Sequence, residues 1–135
     1  MNVWFVDDHP ENLEAWRASF PATVHASCDL RTFGSVPELF EALDAGERPD
    51  VMFVDYFMGP YTGMDVVERF LGDGAAPPLL IAHSSVPRVN RGMVRQGAHL
   101  WMEKVPGSGR TRSIVDAIHD VEDLERLVAK HIARS

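Results

Sequence analysis

Short apolar runs alternate with helical stripes five times along the 135 residues, and no other feature constrains the fold as tightly. Val3 to Val6 is the first strand candidate. Pro10 to Phe20 follows as a helix with Leu13, Trp16 and Phe20 on one face, and Pro21 ends it. Residues 21–29 fit no single pattern. Leu30 to Phe33 reads as a short strand, and Ser35 with Glu38 forms a capping box opening a helix whose apolar face is Leu39, Phe40 and Leu43 and whose stop is Gly46. "DVMFVDYF" is the clearest buried strand, "GPYTG" a loop, and Met64 to Leu71 a helix with Val66, Val67 and Phe70 inward. "PPLLIAHSS" is the fourth strand, Pro87 to Gln96 a helix closed by Gly97, and "AHLWMEK" the fifth strand. A last helix is expected from about Arg112. Parallel strands need crossover connections, so this alternation predicts an α/β fold: a doubly wound, five-stranded parallel sheet with helices on both faces, in a single domain over 1–135.

In such a sheet every strand points the same way and all carboxyl ends lie on one edge, where open α/β sheets bind ligands. Four strands deliver chemistry there: Asp7 and Asp8 from the first, Asp55 from the third, Ser84 from the fourth and Lys104 from the fifth. Taken singly, each has a plain structural role open to it. Asp8 ahead of His9-Pro10-Glu11 could cap a helix, Asp55 could cap a turn, Ser84 with Ser85 could cap the helix at Pro87, and Lys104 could be a solvated strand end. Jointly they point elsewhere. Carboxylates meeting at ~4 Å repel by several kcal/mol at an effective dielectric of ~20. A hard divalent cation such as Mg2+, which takes oxygen ligands and phosphate, removes that conflict. With a lysine and a hydroxyl donor beside it, the set suits phosphoryl transfer.

These residues, in "FVDD", "MFVDYFMGPYTGMDVV", "LLIAHSS" and "QGAHLWMEK", give nearly the whole chain a resemblance to the receiver domain of two-component response regulators, of the single-domain, chemotaxis-regulator-like kind. The resemblance implies a flavodoxin-like strand order 2-1-3-4-5. It implies Mg2+ held by Asp8 directly, by Asp7 through water, by Asp55 and by the backbone carbonyl of Phe57, with Asp55 as the phosphoacceptor. It implies Lys104 as the cation on the phosphoryl group, Ser84 as the hydroxyl that reports it (His83 in the alternative alignment), and Trp101, three residues before the lysine, as the aromatic that swings inward. The implied donor is a sensor histidine kinase or histidine phosphotransfer protein, and the implied state is a phosphoprotein rather than an enzyme in the ordinary sense.

The chain departs from the family pattern in three places. Val105 separates Lys104 from Pro106, where the family has proline directly after the lysine. Gly59 stands four residues beyond the phosphoacceptor in place of the usual proline, with Pro60 one later. Phe57 sets a bulky apolar side chain beside the phosphoryl pocket, and slow self-dephosphorylation is expected from it.

A net charge of −7 argues against non-specific nucleic-acid binding, and the six histidines show no paired zinc spacing. The single Cys28 fits a reducing cytoplasm, and no apolar run has the length of a membrane helix or the form of a signal peptide. With no DNA-binding module in the sequence, output is expected through a downstream protein or a homodimer. The expected surface is the fourth helix with its Arg88, Arg91 and Arg95, the fifth strand, and the last helix with Asp116, Asp120, Glu122 and Asp123. An apolar stripe of Ile114, Ile118, Val121, Leu124, Val128 and Ile132 makes that last helix look extended, either packed on another chain or leading into a linker. "GSGRT" lacks the ending of a phosphate loop and reads as a plain loop. A haloacid-dehalogenase-like phosphatase would want an acid two residues past the nucleophile, where Phe57 stands. A degenerate receiver acting only as an interaction module is the alternative reading.

Overall fold

The computed structural model describes residues 1–73, 77–105, 110–111 and 114–132. Strands β1 (Asn2–Val6), β2 (Asp29–Phe33), β3 (Val51–Val54), β6 (Leu79–Ala82) and β7 (Leu100–Trp101) form one parallel sheet in the order β2-β1-β3-β6-β7, which is 2-1-3-4-5 counted within the sheet. Helices α1 (Pro10–Ser19), α2 (Ala22–Ser27), α3 (Val36–Asp44), α4 (Gly63–Leu71), α5 (Pro87–Gln96) and α6 (Val121–Ile132) cover it. Two short antiparallel ribbons complete the described chain: β4 (Phe57–Met58) with β5 (Tyr61–Thr62), and β8 (Lys104–Val105) with β9 (Arg110–Thr111).

The sheet is apolar on both sides because successive strand residues face opposite ways and each way is covered. Trp4, Val6, Met52, Val54, Leu80 and Ala82 pack with Leu39 and Leu43 of α3, Val66, Val67 and Phe70 of α4, and Met93 of α5. Val3, Phe5, Val51, Phe53, Leu79 and Ile81 pack on the other side with Trp16 of α1, Val24 of α2 and Leu124 of α6. Full burial of side chains this large contributes about 1.5–3 kcal/mol each, which explains why β1, β3 and β6 read so plainly in the sequence.

The expected elements are found, with differences at their ends. Residues 21–29 hold α2 and the first residue of β2. Ser35 caps α3 through its side chain, accepting from the Glu38 N–H, whereas the Glu38 carboxylate reaches Gly34 N–H rather than Ser35. The GPYTG segment is a hairpin rather than a loop. Its two-residue turn Gly59-Pro60 has Gly59 at φ +65°, the left-handed conformation primed turns need at their first central position, so the displaced proline follows from the turn type.

The C-terminal part needs a correction. The last helix starts at Val121 and not near Arg112. Residues 112–113 lie outside the described set, Val115–Ala117 is a single 3-10 turn carrying Asp116, and Ile118 is extended. The helix begins late because Asp120 caps it, accepting from Asp123 N–H at 3.0 Å, while the Asp123 carboxylate accepts from His119 N–H at 2.8 Å. Leu124 is buried, and Leu127, Val128 and Ile132 pack against the chain's own core, which is where the apolar stripe goes. Pro106 and 107–109 of the GSGRT turn are also outside the described residues.

Gly63, the first residue of α4, backs directly onto β3. A Cβ there would sit 2.5 Å from the main-chain oxygen of Asp55 and 2.5 Å from Cε of Met93. The methionine end can move, but the peptide oxygen cannot without shifting Asp55. Gly63→Ala is therefore expected to destabilise the fold by about 1–3 kcal/mol, read as a lower urea midpoint at unchanged slope. An unchanged midpoint would show that the contact between α4 and the end of β3 is loose.

Candidate phosphoryl-transfer site

Sheet hydrogen bonding continues one residue past the ends of three strands. Asp7 N–H donates to Phe33 O (3.1 Å), Asp55 N–H to Val6 O (3.2 Å) and His83 N–H to Val54 O (2.7 Å). Val6, Val54 and Ala82 are register partners, so Asp7, Asp55 and His83 form the next rung, level with one another. Met102, whose N–H donates to Ala82 O at 2.9 Å, continues that rung at the sheet edge. By alternation their side chains share the face of Phe5, Phe53 and Ile81.

Lys104 does not end the fifth strand as expected: that strand is only Leu100–Trp101, and the lysine returns to this rung from β8 of the separate ribbon. Its Nζ lies 2.5 Å from Asp7 Oδ2 and 3.2 Å from Asp55 Oδ1, with only 13 % of the side chain exposed. Asp7 is fully buried and heavily bonded. Besides Lys104, its Oδ1 accepts from His9 N–H (2.9 Å) and Asn12 Nδ2 (3.4 Å). Asp8 is exposed and has the His9 Nδ1 at 2.8 Å. It does not cap α1, whose cap residue is His9 and carries no side-chain cap bond. Asp8, then Asp7, hold the His9 imidazole pKa above its ordinary value.

Carboxylate oxygens of Asp7, Asp8 and Asp55, with a ring nitrogen of His9, all come within 4.8 Å of one another. Three carboxylates against one ammonium leave two negative charges in a pocket whose donors are mainly hard oxygens, a set that fits a divalent cation of the Mg2+ type. Phe57, expected from the resemblance to lend a main-chain carbonyl, opens β4. Its ring is 56 % exposed and meets Tyr56 edge-on at 4.8 Å between centroids.

Ser84 lies one residue beyond the rung and is buried. Its hydroxyl accepts from Val86 N–H at 3.2 Å, a local turn leading into α5. Its main chain is gripped by the buried Asn90 of α5, which accepts from Ser84 N–H (2.8 Å) and donates to Ser84 O (2.9 Å). Trp101, on the edge strand β7, is 36 % exposed and stands on the opposite parity from Met102. Of the expected set, Asp7, Asp8, Asp55 and Lys104 come together directly, Ser84 is adjacent, and Trp101 lies outward of them.

Sequence reasoning left three contributors aside. His9, Asn12 and Asn90 belong to no motif, and only the i+2 and i+5 spacings of His9 and Asn12 from Asp7, across a strand-to-helix turn, could have suggested the first two. His83 was visible only as an alternative to Ser84; the register, which fixes its level with Asp55, is not written in the local sequence.

Burial raises the Asp55 carboxyl pKa from 3.8 to about 6; Lys104 opposes this, and the neighbouring Asp7 adds to it. The folded state therefore binds this proton more tightly than the unfolded chain, so ionised Asp55 costs stability in full above pH ~6, and the cost fades as pH falls towards 4. In metal-free buffer, Asp55→Asn is expected to stabilise the protein by about 1–3 kcal/mol at pH 7.5 and to lose that advantage near pH 4. Paired denaturation curves at the two pH values measure it. A variant no more stable than the parent at pH 7.5 would mean that Lys104 fully compensates the buried charge.

No protein-family model matches the chain, and no curated relative does. Solved structures do. The response regulator domain of Thermotoga maritima CheB superposes with a TM-score of 0.64 at 16% identity, covering 98% of this chain and 96% of that one. The BeF3-activated receiver domain of nitrogen regulatory protein C gives 0.63 at 22%, covering 98% and 94%. The Thermotoga maritima response regulator TrrA, in complex with Mg(2+)-BeF, gives 0.65 at 15%, covering 96% of each chain. With the strand order and the helices on both faces, the chain has the fold of a response regulator receiver domain.

Proposed function

We propose that the chain is a single receiver domain of a two-component or phosphorelay system, in which Asp55 accepts a phosphoryl group from a phosphohistidine on a sensor kinase or phosphotransfer protein. The observation that carries this reading is the seating of one ammonium, Lys104 Nζ, between the buried carboxylates of Asp55 and Asp7, with Asp8 open to solvent beside them. An Asp55 carboxylate oxygen attacks phosphorus, the P–N bond to the donor imidazole breaks as the P–O bond forms, and the departing imidazole takes up a proton. Lys104 holds a phosphoryl oxygen. Asp8, Asp55, the Phe57 carbonyl and, through water, Asp7 would hold a Mg2+ ion, which when bound would supply the remaining charge neutralisation. The presence of beryllofluoride and Mg2+ on solved neighbours of the same fold supports this choice of chemistry.

The switch is assigned to Ser84, drawn towards the phosphoryl group, and to Trp101, moving inward from its exposed position. The output face is assigned to α5, β7 and α6. Arg88, Arg91 and Arg95 are exposed along α5 there, so the face would bind a downstream protein or a second copy. Among the described residues no helix is long and apolar enough to cross a membrane, and the proposed place of action is the cytoplasm.

Intact mass after incubation with Mg2+ and acetyl phosphate, or with a phosphorylated kinase, tests the reading. One added phosphoryl group is expected, absent in Asp55→Ala and with EDTA. No addition from either donor would leave an interaction module that works without phosphorylation. The exposed Phe57 ring, two residues past Asp55, is expected to hinder an attacking water, so Phe57→Asn should shorten the phosphoryl lifetime several-fold. An unchanged decay of the phosphorylated mass would remove Phe57 from that role.

A further inference from the structure

His83 is a buried imidazole, about 1 % exposed, for which neither ring nitrogen finds a hydrogen-bond partner among the described residues. A buried polar group left unpaired costs about 1–3 kcal/mol, and native proteins rarely carry one without a use. Its surroundings are one-sided. Phe5 meets the ring edge-on at 5.0 Å between centroids from the layer below, and Met102 occupies the neighbouring place on the same rung. Asp55 is level with it on the adjacent strand, and the ring feels the charges of both Lys104 and Asp7.

We infer that His83 is a hydrogen-bond donor held in reserve for the phosphoryl group on Asp55, a role that rests on the phosphoacceptor reading above. Two further observations support it. Burial, then the Lys104 ammonium, hold the imidazole pKa down to about 3, so the ring is neutral at physiological pH and keeps one N–H and one lone pair. The hydroxyl of Ser84 sits one residue further on, off the rung of Asp55, whereas His83 is level with Asp55 and its N–H has no taker among the described residues. A phosphoryl oxygen arriving on the neighbouring carboxylate would give the orphaned donor a charged acceptor, the strongest kind of hydrogen bond available to it. Before phosphorylation the donor is unsatisfied; afterwards it is not. The site thereby favours the phosphorylated form through a group that contributes nothing to holding the unmodified one.

The test uses the whole 15N-labelled chain with Mg2+, with and without beryllofluoride. Binding at Asp55 is followed by 19F NMR, and the imidazoles by long-range proton–nitrogen correlation. The His83 signals are identified as those missing in His83→Gln. On beryllofluoride binding, the protonated His83 nitrogen is expected to shift as a newly hydrogen-bonded group and its proton to exchange more slowly. His83→Leu, which removes the donor at similar volume, should bind beryllofluoride about tenfold or more weakly. His83→Gln, which keeps an N–H, should recover part of the loss. His83→Leu should be no less stable than the parent without the ligand, because it removes an unpaired polar group. If that variant does not fold, the parent spectra and His83→Gln decide. Beryllofluoride bound at Asp55 with the His83 nitrogens unmoved, or bound equally well by His83→Leu, overturns the donor role and leaves the phosphoacceptor reading standing. No 19F signal together with no phosphoryl added by a phosphorylated kinase overturns both.

Discussion

One ammonium between two buried carboxylates is the contact on which the site depends. Asp7 and Asp55 end neighbouring strands on the same rung, so the parallel register forces them together, and nothing in the sheet itself would tolerate two such charges. Lys104 makes the arrangement possible, and it also ties the chain's last quarter to its first residues. The pair is not fully neutralised, since Asp55 still holds its proton up to about pH 6. What remains is a centre folded around surplus negative charge, with a set of hard oxygens that fits a divalent cation.

The two cores divide the work of presenting this centre. Phe5, Phe53 and Ile81 fill the layer immediately beneath the rung, and Trp16 of α1 and Phe20 just after it close over them. That floor is apolar and fully buried, and for that reason an imidazole resting on Phe5 is neutral and has so few partners. On the other side Val54 and Ala82, one step below, pack with Met93 and Val67. The same strands thus carry hydrophobic side chains up to the last position before the acids, and the polarity changes within one residue.

Much of this was legible in the sequence because burial on both faces writes continuous apolar runs. "VWFV", "VMFV" and "LLIA" announce themselves, and the residue after each is placed by the simple fact that strands end together. Asp7 and Asp55 could be assembled from that alone, whereas Lys104 lies past the end of its short edge strand. What escaped depends on longer-range or subtler facts. The late start of α6 rests on a cap between Asp120 and Asp123 competing with a good apolar stripe. The choice between His83 and Ser84 rests on register, where one residue of slip reverses the face, and the run "AHSS" gives no way to count it. Helix α2 is six residues long and held by a packed valine and a tertiary bond from Thr23 to His119, neither of which local periodicity reports.

Asn90 gives the molecule a mechanical property beyond its hydrogen-bond count. Its side-chain amide grips both polar atoms of the Ser84 peptide from inside α5, and its second hydrogen reaches towards Met102 O at 3.5 Å. In a buried setting neither bond can be exchanged for water, so sliding the peptide out of that grip would strand two polar groups at once. The end of β6 and the body of α5 are in effect one machined part. Any displacement of the Ser84 backbone has to be shared with α5, a ten-residue rod whose outer surface carries three arginines.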